Sequence, residues 1–351
     1  MAALLAVAVS PLVHELGHVL GGCLAGFRLV LLVWGPFRVE READRIRIAG
    51  NRHLALAGGI ALCIPPATVR NPRAASVAYF GGGPVLSLGT GILACALAWT
   101  LGMPERGTVG GWAAAAFGIA SLGLAVVTLI PRRSGGLMSD GARLLRALRN
   151  REAAQHDLCA AALVGLVFSP LRPRDWPRFL IDAATPASDP SPGTAVHLGI
   201  PRQFALYWHA LDTGKGETAR DHLQQALFAC STAGPLAGLL LAELALEAAF
   251  FELVIRHDLD RCRQWLERAK KASDRRWLRI LQAIAADSGQ PEQQSSILTT
   301  IHHLASRSGI DAARAAWLAD FVARCPEDAA SGGTKHAAHP VGFPDSHRSS
   351  T

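Results

Sequence analysis

His14, Glu15 and His18 stand within "SPLVHELGHVLGG", residues 10 to 22 of a 351-residue chain. Side chains four apart share one face of a helix, so both imidazoles can reach a single metal ion. Glu15 lies beside them, where a carboxylate can hold and deprotonate water. Two neutral imidazoles on zinc with a neighbouring general base are the working parts of an H-E-x-x-H element. The flanking residues are apolar enough for lipid. Ionisable groups are costly there unless they are paired, metal-bound or hydrated. A catalytic zinc normally has three protein ligands and one open position, so the chain must supply a further N or O donor.

The strongest candidate is Asp140 in "LIPRRSGGLMSDGARLLRAL", residues 129 to 148. A Pro- and Gly-rich break followed by a resumed helix lets a polar side chain turn into the protein. Alternatively, Asp140 is the N-cap or first-turn residue of the helix beginning near Gly141. If it is the ligand, a displaced or broken helix is required.

The elements that must position these groups read as membrane helices. Half of the residues are hydrophobic, 18% are charged, and the apolar bias lies before about residue 170. A span needs about twenty mostly apolar residues, and windows 2–24, 76–101 and 108–130 qualify. The run Leu158 to Phe168 is short and could be interfacial, re-entrant or packed on other helices. Residues 28 to 48 read as a small β hairpin or sheet, with Val30–Trp34 and Ile46–Ile48 as strands and an edge that an unfolded peptide could join. "LALAGGIALCIPP", 54 to 66, could line the membrane surface or dip into the protein.

Charge orients the path. Eight arginines lie between Arg28 and Arg73, while the turn between the second and third windows holds only Glu105 and Arg106. Arg132, Arg133, Arg143, Arg146, Arg149 and Arg151 follow the third. The positive-inside rule then places the C-terminal half in the cytoplasm and Met1 outside, as a multi-pass protein of the cell membrane. The net charge of +7 is explained by basic residues beside the bilayer rather than by nucleic acid, since no nucleic-acid module accompanies it. The first window lacks a basic leader and a cleavage site, which argues against a signal peptide. Seven cysteines without a CxxC read as core residues, not as a disulfide framework or a cysteine zinc site.

"HELGH" at 14 to 18, "GGGP" at 81 to 84 and "SDG" at 139 to 141 after an "IP" together resemble the site-2 protease family of intramembrane zinc metalloproteases. The resemblance covers residues 1 to 150. It implies a mainly α polytopic protein whose three-helix core cuts membrane-embedded protein substrates, with one zinc per chain on His14, His18 and Asp140, and Glu15 as the catalytic residue. In many relatives the glycine-proline element continues to an asparagine, and a second asparagine precedes the later proline; these help hold substrate or stabilise the reaction. Here Ser87 stands at the first place, and Thr128 or Leu129 at the second. The hydroxyls of Ser87 and Thr128 can still donate hydrogen bonds. The missing asparagines motivate an alternative, a proteolytically inactive metal-binding scaffold. A transporter is a third reading, weakened by the lack of an inverted repeat.

Beyond residue 150 come a short apolar segment and linker (151–193), a helical domain (194–325) and a polar tail expected to be disordered (326–351). "RDHLQQA" at 220 to 226 resembles "RQWLERA" at 263 to 269, and "GIDAARAAWLADF" at 309 to 321 suggests a degraded third unit. This pattern looks like tetratricopeptide-type hairpins, or else a non-repetitive helical domain; either could recruit a protein partner. Trp208, Trp265, Trp277 and Trp317 read as packing residues before contact residues.

Overall fold

The structure is a computed structural model that describes residues 1–42, 45–51, 58–101, 107–134, 137–184, 199–231, 237–272, 275–286, 299, 301 and 309–328. Most of the expected linker and tail, residues 185–198 and 329–351, lie outside them. The chain divides into two compact units, Met1–Leu206 and Tyr207–Thr351. It is mainly helical, with twelve α-helices and a small antiparallel sheet among the described residues.

In the first unit, α1 (Ala2–Leu24), α2 (Pro72–Thr100) and α3 (Val109–Leu129) are each long and apolar enough to cross a membrane. Their outward faces carry exposed Leu5, Leu20, Val85, Leu93, Trp99 and Ile119. α2 starts earlier than its apolar window because Asn71 caps it, accepting from Ala74 N–H, and Pro72 occupies a first-turn position that needs no donor. Pro11 interrupts α1 and leaves Val7 without its helical N–H partner; Ser10 Oγ donates to that carbonyl at 2.9 Å.

Between α1 and α2 lie β1 (Arg28–Trp34), β2 (Phe37–Glu42), β3 (Arg45–Gly50) and β4 (Ile60–Ile64), ordered β3-β2-β1-β4 and antiparallel throughout. The described part of the 54–66 run is therefore a paired edge strand. Its backbone polar groups find partners in β1 and in Tyr79 of α2, so of the two readings of this run the described part packs into the protein.

After α3, the two-residue strands β5 (Arg133–Ser134) and β6 (Leu137–Met138) form a hairpin, followed by α4 (Asp140–Arg149), α5 (Arg151–Leu166) and α6 (Arg178–Ala184). Of the three readings left open for Leu158 to Phe168, packing is the one found. Leu158 is buried with Phe27, Cys63, Tyr79 and Phe80, and Ala161 packs against the same cluster. Arg73 Nε donates to Ala147 O, Ser76 Oγ to Ala154 O, and Arg146 pairs with buried Asp157 at 2.8 Å, so α4 and α5 are pinned to the start of α2 and to each other.

The second unit contains α8 (Gly216–Ser231), α9 (Ala237–Val254), α10 (Leu259–Arg268), α11 (Arg275–Ala286) and α12 (Gly309–Asp328), with α7 (Ile200–Asp212) running into it. α9 buries apolar residues all round its circumference, as a central helix must. Ala219, Leu223 and Ala226 of α8, and Cys262 and Leu266 of α10 with Ala269 just after it, are all buried at the offset seen in the sequence. Arg314 lies over Trp208 and Trp277, at 5.0 and 5.2 Å, and pairs with Glu247. Trp208, Trp265 and Trp277 are buried and Trp317 half-buried, consistent with packing roles.

Candidate metal centre

Close approach of α1 and α2 sets the imidazoles. A Cβ on Gly17 would come within 2.3 Å of Gly82 O, and one on Gly21 within 1.9 Å of Ala78 O, so backbone meets backbone and larger residues have no room. Gly83 lies directly beneath the rings: a Cβ there would be 2.5 Å from His18 Nε2 and 2.9 Å from His14 Nε2. The glycine run 81–83 thus permits the close approach of the helices at the site itself.

Each ring is held by its Nδ1. His18 Nδ1 donates to Tyr79 O at 2.8 Å, and His14 Nδ1 is 3.0 Å from Ser87 Oγ. A carbonyl can only accept, so His18 carries its proton on Nδ1 and, when neutral, presents a lone pair at Nε2. Pro84 removes the N–H that would serve Phe80 O, the carbonyl next to the one that receives His18. The rings stand at 85°, and their Nε2 atoms converge to 3.2 Å.

Asp140 completes the group. Its Oδ2 lies 3.3 Å from His14 Nε2 and 3.4 Å from His18 Nε2. The helix break is present: α3 ends at Leu129 and α4 starts at Asp140. Capping falls to Ser139, whose Oγ accepts from Ala142 N–H and from Arg132 N–H and donates to Ile130 O. Asp140 is thus a first-turn residue with its carboxylate on the histidines. Burial alone would raise its pKa, but the hydrogen bonds and charges of His14 and His18 outweigh that and hold it well below the usual carboxylate range. It is therefore ionised, as a metal ligand must be.

These atoms fit a metal ion. Ligands about 2.0–2.1 Å from a tetrahedral zinc lie about 3.3 Å from one another, and the three edges here are 3.2, 3.3 and 3.4 Å. A cation among them would take the place of the protons that these three atoms otherwise share. Among the described residues this is the one group of three His, Cys, Asp or Glu side chains so placed.

Glu15 is half-buried on the same turns of α1, and its carboxylate accepts a hydrogen bond from Ala61 N–H in β4. Ala61 O in turn accepts from Tyr79 Oη at 2.8 Å. Tyr79 therefore joins His18, through its backbone, to the strand that holds Glu15. Sequence reasoning missed this residue; "YF" before "GGGP" signals an aromatic core, not a carbonyl aimed at a histidine.

Ser87 and Thr128 do not present free hydroxyls. Ser87 is fully buried against His14, and Thr128 Oγ1 turns back to Leu124 O and Ala125 O of its own helix.

No protein-family model matches the chain, and no curated protein or solved structure matches it. The reading of function therefore rests on the site.

Proposed function

We propose that this protein is an intramembrane zinc endopeptidase, anchored in the cell membrane by α1, α2 and α3, that hydrolyses peptide bonds of membrane-embedded protein substrates. The observation that carries the reading is the triangle of His14, His18 and Asp140 with Glu15 on the adjoining turn. His14, His18 and Asp140 would hold the ion. Bound zinc supplies Lewis acidity that makes water nucleophilic and polarises a carbonyl. Glu15 accepts the proton from the attacking water and delivers it to the departing amine, one carboxylate serving both steps. Ser87 and Tyr79 O keep the imidazoles aimed, and the apolar faces of the three helices limit bulk water.

A second reading is a metal-binding membrane scaffold without proteolysis. What favours it is the fate of the two positions where the resembled family has asparagines: Ser87 is committed to His14 and Thr128 to its own helix, so neither hydroxyl is free for substrate.

The deciding experiment compares wild type with Glu15→Gln in proteoliposomes, with bound zinc measured alongside cleavage of a co-reconstituted membrane-protein substrate. Zinc should stay at one per chain while cleavage falls at least roughly 100-fold, the scale of a lost general base. Equal cleavage by both proteins removes Glu15 from the mechanism; zinc bound with no cleavage by wild type favours the scaffold.

A further inference from the structure

The corner where α10 hands over to α11 carries a concentration of charge that the metal centre does not use. Residues 268 to 279 contain Arg268, Lys270, Lys271, Arg275, Arg276 and Arg279 against one acidic residue, Asp274. All six basic side chains are exposed, while Trp277, Leu278, Ile280 and Leu281 form the buried side of α11. The corner is held together locally: Arg275 donates to Lys270 O at 2.7 Å, Arg279 to Arg275 O at 3.2 Å, and the Arg268 guanidinium lies 4.8 Å over the Trp265 ring. Within this segment Lys270 pairs with an acid, Glu267, while Arg275 and Arg279 donate to backbone carbonyls. Elsewhere in the unit the surface is mixed: α8 pairs Arg220 with Glu217 and Asp221, and α10 pairs Arg263 with Asp260. An ordinary solvated helix face balances its signs in that way; here six basic residues stand against Glu267 and Asp274 alone.

We propose that this basic corner docks on anionic phospholipid headgroups. The occupant follows from charge and from supply. A unit covalently continuous with three helices apolar enough to span a bilayer always has that polyanion within reach, and the arginine distribution places the C-terminal half on the cytoplasmic side, where anionic lipids concentrate. Each basic residue brought to such a surface strengthens attachment by roughly fivefold, and the attraction is lost with added salt. The docking rests on the membrane-spanning reading above but not on proteolysis.

The chain supplies its own reporters, since Lys270 and Lys271 lie in the corner and exposed Lys215 lies outside it. Full-length protein is incorporated into nanodiscs of phosphatidylcholine alone or with phosphatidylglycerol. Amine acetylation is then followed residue by residue by mass spectrometry. Lys270 and Lys271 should react at least about fivefold more slowly in the anionic discs, with Lys215 unchanged, and the difference should vanish in 0.5 M salt. The variant R268E/R275E/R276E/R279E, which keeps both lysines, should show no difference between lipids; Arg276→Glu alone gives a milder version if the quadruple variant misfolds. Equal rates in both lipids overturn the proposal, as does protection that salt or charge reversal leaves intact. Protection by added RNA or an acidic protein but not by phosphatidylglycerol assigns the corner to another partner and also overturns it. Failure to enter nanodiscs at all would instead reject the membrane-spanning reading.

Discussion

Ser87→Ala separates two roles for the hydroxyl that stands where the resembled family has an asparagine. If it faces substrate, its loss slows cleavage and leaves the metal alone. The geometry says otherwise: Ser87 Oγ is 3.0 Å from His14 Nδ1, Ser87 is fully buried and His14 is 4% exposed, so water has little access to replace it. Removing the partner that orients a metal-bound imidazole weakens affinity by about 10- to 100-fold. With both groups buried the upper end applies, and a hundredfold corresponds to about 2.7 kcal/mol. His18 offers no equivalent test because its partner is a backbone carbonyl. Zinc affinity is measured by competition with a chromophoric chelator on purified protein in detergent, comparing wild type, Ser87→Ala and Ser87→Thr. Ser87→Ala should bind roughly 100-fold more weakly, and Ser87→Thr should recover most of that by restoring the hydroxyl. Unchanged affinity in Ser87→Ala, with slower cleavage, would refute the positioning role and return Ser87 to the substrate side.

Two further outcomes follow from packing. Gly21→Ala places a Cβ within 1.9 Å of Ala78 O, so α1 and α2 must separate by more than 1 Å to relieve it; thermal unfolding in detergent should show a loss of about 2–3 kcal/mol, and zinc occupancy should fall because Tyr79 O moves away from His18. Asp157→Asn breaks the pair with Arg146 that ties α4 to α5; with the Arg146 side chain 36% exposed, solvent screens the pair and the loss should be about 2 kcal/mol. Burial alone would raise the Asp157 pKa, but His156 and Arg146 outweigh it and hold it below its ordinary value. The stabilisation is therefore present above about pH 4 and disappears as pH falls through the lower, folded-state pKa. Chemical unfolding across pH should show this acid-side loss in wild type and not in Asp157→Asn.

Much of this was readable from spacing. His14 and His18 meet because the helical period brings i and i+4 together, and the three long helices follow from apolar length alone. Asp140 was reachable only by asking where a third donor could come from, and its rival role as cap went to Ser139 because that hydroxyl bonds across the break as well as into the helix. β4 was less legible: five apolar residues after two glycines carry no periodicity, and their identity as a strand depends on β1, which lies nearly thirty residues earlier. Tyr79 escaped notice because the group it offers His18 is its backbone carbonyl, which every residue type possesses. The commitments of Ser87 and Thr128 are likewise side-chain directions, set by neighbours on other helices or by the local turn.

The centre is built from backbone contacts that lipid does not weaken. α1 and α2 meet glycine to glycine, which fixes His14 and His18 against Gly83. At the other end, a Cβ on Gly141 would lie 1.8 Å from Leu129 O, so α4 begins in contact with the end of α3 although ten residues separate them. Ser139 closes that excursion on Ile130 and Arg132. The carboxylate therefore enters at the level of the third helix's last turn. In a bilayer, where apolar side chains gain little from leaving lipid for one another, such close backbone approach is the available means of holding three ligand atoms to tenths of an ångström. Long side chains then remain on the outward faces of the three helices, which are apolar enough to cross a membrane, while the ligand-bearing faces are left to glycines and to the residues that orient or complete the site.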